Sequence, residues 1–319
     1  MKQIIKKIKQ SKRVGIIAHI SPDEDCLGSM SALCLALRGM NKHVQMFVDT
    51  KKKAEEFRLF NFNEEISGDL DAENFDLVIA VDVASKRLLG KYGPVFDLHN
   101  NTICIDHHES RDLEAKINYV EPYRASCSEI IFDLLTKLKV KITKDIASCL
   151  FAGVVGDTGC FEHDNVQEET HITASKLYGL GADTKRIIYY YKKYQTMADI
   201  RLKKMVYANM FNENKVAYMI FTNKIIKEAG TDNTKRYVNE MLNIEDNVFA
   251  FGINQNEKNT YSVSIRCKEG YNACEIASKY GGGGHSMAAG FAFVGAPVKH
   301  AKMLYEDCLN QIKQKEQKN

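Results

Sequence analysis

Three apolar runs constrain this chain more than any other feature: "VGIIA" (14–18), "LVIAV" (77–81) and "ICI" (103–105). Each is hydrophobic at every position, and each stops on polar, ligand-capable side chains. A strand without polar alternation is buried on both faces, the situation of a parallel sheet covered by helices. Helical patterns such as "CLGSMSALCLALRGM" (26–40) and "SEIIFDLLTKL" (128–138) separate the runs as far as about residue 160. That alternation predicts an α/β fold with an N-terminal doubly wound, mostly parallel sheet.

A smaller α+β domain is expected after it. "KVAYMIFT" (215–222) opens it, and "NVFAFGI" (247–253) and "TYSVSIRC" (260–267) form a hairpin-like pair joined by "NQNEKN". A helix at "NACEIASKY" (272–280), the loop "GGGGHSMAAG" (281–290) and a last strand "FAFV" follow, and the tail "IKQKEQKN" is read as frayed. Thr184 to Asn212 is polar, Tyr-rich and helical in period without a Pro or Gly break, so it reads as a helical connector. The expected division is 1–185, a linker at 186–212, and 213–319.

At 319 residues two cores are feasible. Lys and Arg number 44 against 41 Asp and Glu, so no overall field would hold long duplex nucleic acid or a membrane, and an anionic substrate must be gripped locally. The nine cysteines form no C-x-x-C pair and sit in apolar stretches such as "ALCLAL", the pattern of reduced core residues. The basic N-terminus reads as an amphipathic helix on Ile4, Ile5 and Ile8, and no apolar run reaches membrane-spanning length. A soluble, cytoplasmic protein is expected.

In an open parallel sheet the loops at the carboxyl ends of the strands share one edge. His19, Asp23 and Asp25 follow the first run, Asp82 the second, and Asp106, His107 and His108 the third. Asp157 closes a fourth apolar run, "FAGVVG", grouped here with the strands. Asp23 and Asp25 are expected to flank a common point on a turn, with Gly28 and Ser29 opening the next helix. A lone histidine at a strand end, or a lone D-x-D, is more often structural; four such endings on one edge argue for a site. So many carboxylates cannot gather without a counter-ion. Oxygen ligands with a minority of imidazole suit manganese or magnesium, and two ions sharing a bridging carboxylate account for the number of ligands.

The chain resembles the DHH phosphoesterase family. "HISPDEDCLGS" (19–29) is similar to its first motif, "VDVAS" (81–85) to its second, "DHH" (106–108) to its third, "GVVGDTGCF" (153–161) to its fourth, and "GGGGHSMAAGF" (281–291) to the signature of the DHH-associated C-terminal domain. The resemblance implies a catalytic domain at 1–185 and a substrate-binding domain at 213–319. It also implies two manganese ions, with magnesium as the other choice: one held by His19, Asp23 and Asp82, the other by Asp25, Asp82, His107 and Asp157. His108 would meet the scissile phosphate and Asp106 would fix an imidazole tautomer. Arg266, Gly283, Gly284, His285 and Ser286 would hold nucleotide phosphate. Two positions depart from the family pattern: Glu24, where many relatives carry glycine, and Glu162, where a basic residue is frequent.

The implied activity is two-metal, in-line hydrolysis of short single-stranded oligonucleotides (nanoRNA) to mononucleotides, and of 3'-phosphoadenosine 5'-phosphate to AMP, in a cleft between the domains. One alternative is a phosphodiesterase for cyclic or linear dinucleotides. Another is a catalytically inactive nucleotide-binding protein, which the full set of ligands disfavours. Oligomeric state is left open, a homodimer included.

Overall fold

The computed structural model describes residues 1–49, 68, 70–257 and 259–317. The chain divides into two compact units, Met1–Tyr194 and Gln195–Asn319.

The first unit carries α1 (Lys2–Gln10), β1 (Arg13–Ile17), α2 (Glu24–Gly39), β2 (His43–Phe47), β3 (Leu77–Val81), α3 (Gly93–Leu98), β4 (Thr102–Asp106), β5 (Ile117–Val120), α4 (Cys127–Leu138), α5 (Lys144–Asp157), α6 (Glu168–Gly179) and α7 (Thr184–Ile188). Its sheet has the order β2-β1-β3-β4-β5, with every described pair parallel. Successive residues of the central strands point to opposite faces, and both faces are covered. Val14, Ile16, Leu77, Ile79, Ile103 and Ile105 pack with residues of α1, α2, α4 and α5. Ile17, Val78, Ala80 and Cys104 pack with Leu89, Tyr92 and Phe96 on the other side. This double coverage is why the runs are hydrophobic without alternation. Strand β1 lies between β2 and β3, so the chain leaves it toward one side and the later strands build on the other. At such a reversal the loops after the two central strands separate and leave a crevice at their carboxyl ends.

Two local expectations are overturned here. The "FAGVVG" run is no strand: it lies inside α5, and Asp157 is that helix's last residue. Ala147, Leu150, Phe151, Val154 and Val155 are buried against α2 and α4, and a helix buried on most sides is as uniformly apolar as a strand. Nor do Gly28 and Ser29 open α2. Asp23 caps the helix, its Oδ1 accepting from the Cys26 N–H at 3.0 Å, and Asp25 already lies in the first turn. Gly28 has a packing role instead. A Cβ there would stand 2.5 Å from the Cys149 carbonyl oxygen, and one at Gly153 would stand 2.7 Å from Asp25 Oδ1. Gly28 lets α2 and α5 cross backbone to backbone, and Gly153 leaves room for the side chains of Ser128 and Asp25.

The second unit comprises α8 (Met197–Asn209), β6 (Phe211–Glu213), β7 (Val216–Phe221), α9 (Asn223–Ala229), α10 (Thr234–Leu242), β8 (Phe249–Glu257), β9 (Thr260–Cys267), α11 (Ala273–Ser278), β10 (Gly283–Gly284), β11 (Ala288–Val294) and α12 (Pro297–Glu316). Its mixed sheet runs β10-β11-β9-β8-β7-β6, with β8 and β9 the expected antiparallel pair. The connector is not one helix. After α7 a single π turn, Tyr189–Lys193, gives way to extended chain at Tyr194. Thr196 then starts α8 through a capping box with Asp199, Thr196 N–H to Asp199 Oδ2 at 2.8 Å and Asp199 N–H to Thr196 Oγ1 at 3.1 Å. The C-terminal "IKQKE" is helical too. It ends α12, whose Ala301, Leu304, Cys308 and Ile312 are buried. All nine cysteines are free thiols, seven of them buried. No helix among the described residues is long and apolar enough to cross a membrane.

Candidate metal centre

The crevice at the ends of β1 and β3 collects the residues singled out in the first unit. His19 Nε2 lies 3.8 Å from Asp23 Oδ2 and 3.9 Å from Asp82 Oδ2. His107 Nε2 lies 3.5 Å from Asp82 Oδ1, 4.0 Å from Asp25 Oδ2 and 3.1 Å from Asp157 Oδ2. Among the described residues, three groups could hold an ion: His19, Cys26 and Asp82; Asp82, His107 and His108; Asp25, His107 and Asp157. Asp82 belongs to two of them.

Each side chain is held by an identifiable backbone feature. Asp82 has a left-handed backbone, φ 57°, and its N–H donates to the Ile105 carbonyl at 2.9 Å. A non-glycine residue in this region signals a local constraint. Asp25, fully buried, accepts from the Cys127 and Ser128 N–H groups at 2.6 and 2.9 Å, at the start of α4. His107 Nδ1 faces the Arg124 carbonyl at 3.1 Å, which makes Nδ1 a donor there and turns Nε2 toward the carboxylates. His108 Nδ1 donates to Asp106 Oδ1 at 2.7 Å, the oxygen that also accepts the His107 and His108 backbone N–H groups. His108 Nε2 is thereby left free of that interaction, on a side chain 41% exposed.

The electrostatics of this arrangement call for cations. Burial, then the charge of Asp157, pushes the Asp25 carboxyl up to about 7. Burial and the neighbouring charges of Asp25, Asp23 and Asp157 raise Asp82 well above the carboxylate range. Burial opposes charge on His107, but the hydrogen bond and charge of Asp157, with Asp82 and Asp25, outweigh it and push the imidazole up to about 11. Among the described residues the buried Asp82 Oδ1 has no hydrogen-bond partner. A carboxylate oxygen left bare among like charges and beside imidazoles fits a divalent ion in direct contact. The donor set, oxygens with a minority of imidazole, is that of a hard or borderline divalent metal.

Cys26 was not singled out by sequence, yet its sulfur belongs to the His19 group. Burial, then the charges of Asp82 and Asp23, raise its thiol well above the usual range. The backbone groups of Arg124, Cys127 and Ser128 were likewise missed, because no residue type marks them. Glu162 is exposed and paired with Lys192 at 2.7 Å. Glu24 packs against Gly156, where a Cβ would come within 2.6 Å of its own Cβ.

The remaining candidates lie in the second unit. Arg266 on β9 is partly buried; its Nη1 donates to the Ile265 carbonyl at 2.9 Å, and desolvation lowers its pKa. His285 and Ser286 are exposed. The N–H groups of Gly281, Gly282 and His285 donate to the carbonyls of Ser278, Ala277 and Ala288, so the loop is a paired turn. Gly284, at φ 142°, lies where a Cβ would meet the Ala288 carbonyl at 2.5 Å. Gly283 has no such packing reason: it is exposed, and a Cβ there would meet nothing within 4 Å among the described residues.

Residues 13–154 match the DHH family, N-terminal domain, and residues 207–313 match the DHHA1 domain. The chain is 30% identical to the bifunctional oligoribonuclease and PAP phosphatase NrnA of Mycoplasma genitalium, over 97% of both lengths. The chain belongs to the DHH family. This DHH protein is a hydrolase of the phosphoesterase class. It is also 26% identical to the cyclic-di-AMP phosphodiesterase PdeA of Listeria monocytogenes, over 87% of this chain and 44% of that protein. The DHH fold is shared with the crystal structure of an exopolyphosphatase-related protein from Bacteroides fragilis, at a TM-score of 0.83 and 21% identity, covering 98% of this chain and 96% of that one.

Proposed function

We propose that this DHH hydrolase cleaves short oligonucleotides to mononucleotides and removes a phosphate from 3'-phosphoadenosine 5'-phosphate, using two divalent ions, manganese in the first place. The observation that carries this reading is the buried Asp82 Oδ1, without a hydrogen-bond partner among the described residues and facing His107 Nε2, in a chain similar along its whole length to a bifunctional oligoribonuclease and PAP phosphatase.

His19, Asp23 and Asp82 would hold one ion; Asp25, Asp82, His107 and Asp157 would hold the other. Bound there, two ions supply charge neutralisation and an acidified water for in-line displacement at phosphorus. The protein's own part is positioning. Asp106 fixes the His108 tautomer so that Nε2 can meet a phosphate oxygen or give a proton to the leaving ribose oxygen. The Arg124 carbonyl and the first N–H groups of α4 aim His107 and Asp25. In the second unit Arg266, a desolvated guanidinium, with His285, Ser286 and exposed Gly283 and Gly284, would hold nucleotide phosphate. The free thiols suit a reducing, cytoplasmic compartment.

The test is a rate comparison with manganese on a dinucleotide, a five-residue oligomer, a long oligomer, a cyclic dinucleotide and 3'-phosphoadenosine 5'-phosphate. Fastest turnover of the short oligomers, with phosphate released from the bisphosphate, is expected. The second reading, a cyclic-dinucleotide phosphodiesterase, is motivated by the similarity to the Listeria protein, and dominant turnover of the cyclic substrate would replace the first. Binding of nucleotide without turnover would refute both.

A further inference from the structure

The second proposed ion would be held by three side chains that reach the site from different places: Asp25 from α2, His107 after β4 and Asp157 from the end of α5. Two of them are fixed by one short stretch of backbone, residues 124–128. The Arg124 carbonyl faces His107 Nδ1 at 3.1 Å, and the Cys127 and Ser128 N–H groups hold Asp25 at 2.6 and 2.9 Å. Asp157 lies outside that arrangement, on a helix terminus followed by three left-handed residues, Gly159, Cys160 and Phe161, with its side chain 27% exposed.

One side chain closes the gap. Asn165 Nδ2 donates to the Ala125 carbonyl at 3.1 Å and to the Asp157 carbonyl at 3.2 Å. Both partners are carbonyl oxygens, so the NH₂ end must face them, and its two hydrogens serve one each. Ala125 sits between Arg124, which aims His107, and Ser126, which caps α4. The amide thus ties the end of α5 to the same stretch that orients the other two ligands. His163 also approaches the Asp157 carbonyl, Nδ1 at 3.1 Å.

The geometry points to Asn165 as a positioning residue: its side-chain amide sets the place of Asp157 relative to Asp25 and His107, and so sets the affinity for the second of the two ions. This rests on the two-ion reading above. Groups that orient ligands without touching the metal typically change affinity by about ten- to a hundredfold when removed. Asn165 is exposed apart from its amide contacts, so its replacement leaves the core packing untouched.

The experiment is manganese binding by calorimetry on metal-stripped protein, with melting temperature and steady-state rates alongside. Asn165→Leu, which keeps the bulk and loses both donors, should weaken one class of manganese site about ten- to a hundredfold and leave the other within about threefold. Its turnover should return to within about threefold of the parent when manganese is raised to saturation, which a general folding defect would not allow. Asn165→Asp, with oxygen in place of the donors, should weaken the same class at least as much. His163→Ala, which loses a contact to Asp157 but no tie to Ala125, should stay within about threefold. Unchanged affinity in Asn165→Leu or Asn165→Asp, equal weakening of both classes, no rescue by manganese, or an equal loss in His163→Ala would overturn the inference. A parent protein that binds no manganese would instead remove the two-ion reading itself.

Discussion

Replacing Gly28 by alanine tests whether the close crossing of α2 and α5 is what assembles the site. A Cβ at Gly28 would lie 2.5 Å from the Cys149 carbonyl oxygen and 3.0 Å from the Gly153 nitrogen, both backbone atoms. Reaching an ordinary contact of about 3.4 Å requires the two helix backbones to part by about 0.9 Å. Alanine is intrinsically the better helix former by about 1 kcal/mol, whereas overpacking costs about 1 to 3 kcal/mol. The net loss is therefore about 0 to 2 kcal/mol, a fall in melting temperature of no more than roughly 8 °C for a unit of this size. Catalysis is far less tolerant. Metal–ligand distances hold to about 0.2 Å, and misplacement by about 1 Å costs on the order of a hundredfold in rate. Asp25 rides on α2 and Asp157 on α5, so kcat/KM should fall about a hundredfold while the fold persists. Gly39→Ala, in the same helix and with none of the described residues within 4 Å of the added carbon apart from its own helical surroundings, is the control and should behave as the parent. Turnover within threefold of the parent in Gly28→Ala, with the protein folded, would refute the reasoning.

Three further outcomes are expected. Asp82→Asn should reduce turnover by at least about a thousandfold and weaken both manganese sites in calorimetry, since the same carboxylate faces His19 and His107; loss at one site alone would contradict a bridging role. In the metal-free protein Asp25 and His107 bind protons more tightly folded than unfolded, with raised pKa values of about 7 and about 11. Their contribution to stability is therefore full at low pH and is lost as pH rises, between about 4 and 7 for Asp25 and between about 6.5 and 11 for His107. Metal displaces those protons, so the gain in melting temperature on adding manganese should grow from about pH 5.5 to about pH 8, and a gain independent of pH would count against Asp25 and His107 as ligands. His285→Ala should lose more activity on a dinucleotide than on bis-nitrophenyl phosphate; equal losses would mean that the glycine loop does not grip nucleotide.

The parallel sheet was legible because burial on both faces leaves a strand no polar position, as at Leu77–Val81. Its carboxyl-edge residues were legible because that chemistry follows the strand directly: His19, Asp82 and His107 stand where the apolar runs stop. Asp157 is legible as a candidate ligand while its element is not, since α5 is packed on too many sides to show a helical period. Helix α12 had a usable signal, with Ala301, Leu304, Cys308 and Ile312 at helical spacing, obscured by the lysines and glutamines between them. The supports at Arg124, Cys127, Ser128 and Asn165 were invisible for a different reason. The first three act through backbone groups, which every residue carries, and the Asn165 amide acts on backbone carbonyls, so only the folded chain shows which groups face a ligand or its support.

The positive φ at Asp82 restricts what can ever stand at that position, before any reactivity is considered. Aspartate and asparagine enter that conformation more readily than other residues bearing a side chain, whereas most pay about 1 to 2 kcal/mol there. Asparagine is therefore the substitution that removes charge alone. Alanine would merge a conformational penalty with an electrostatic one, and the number obtained from it would describe neither.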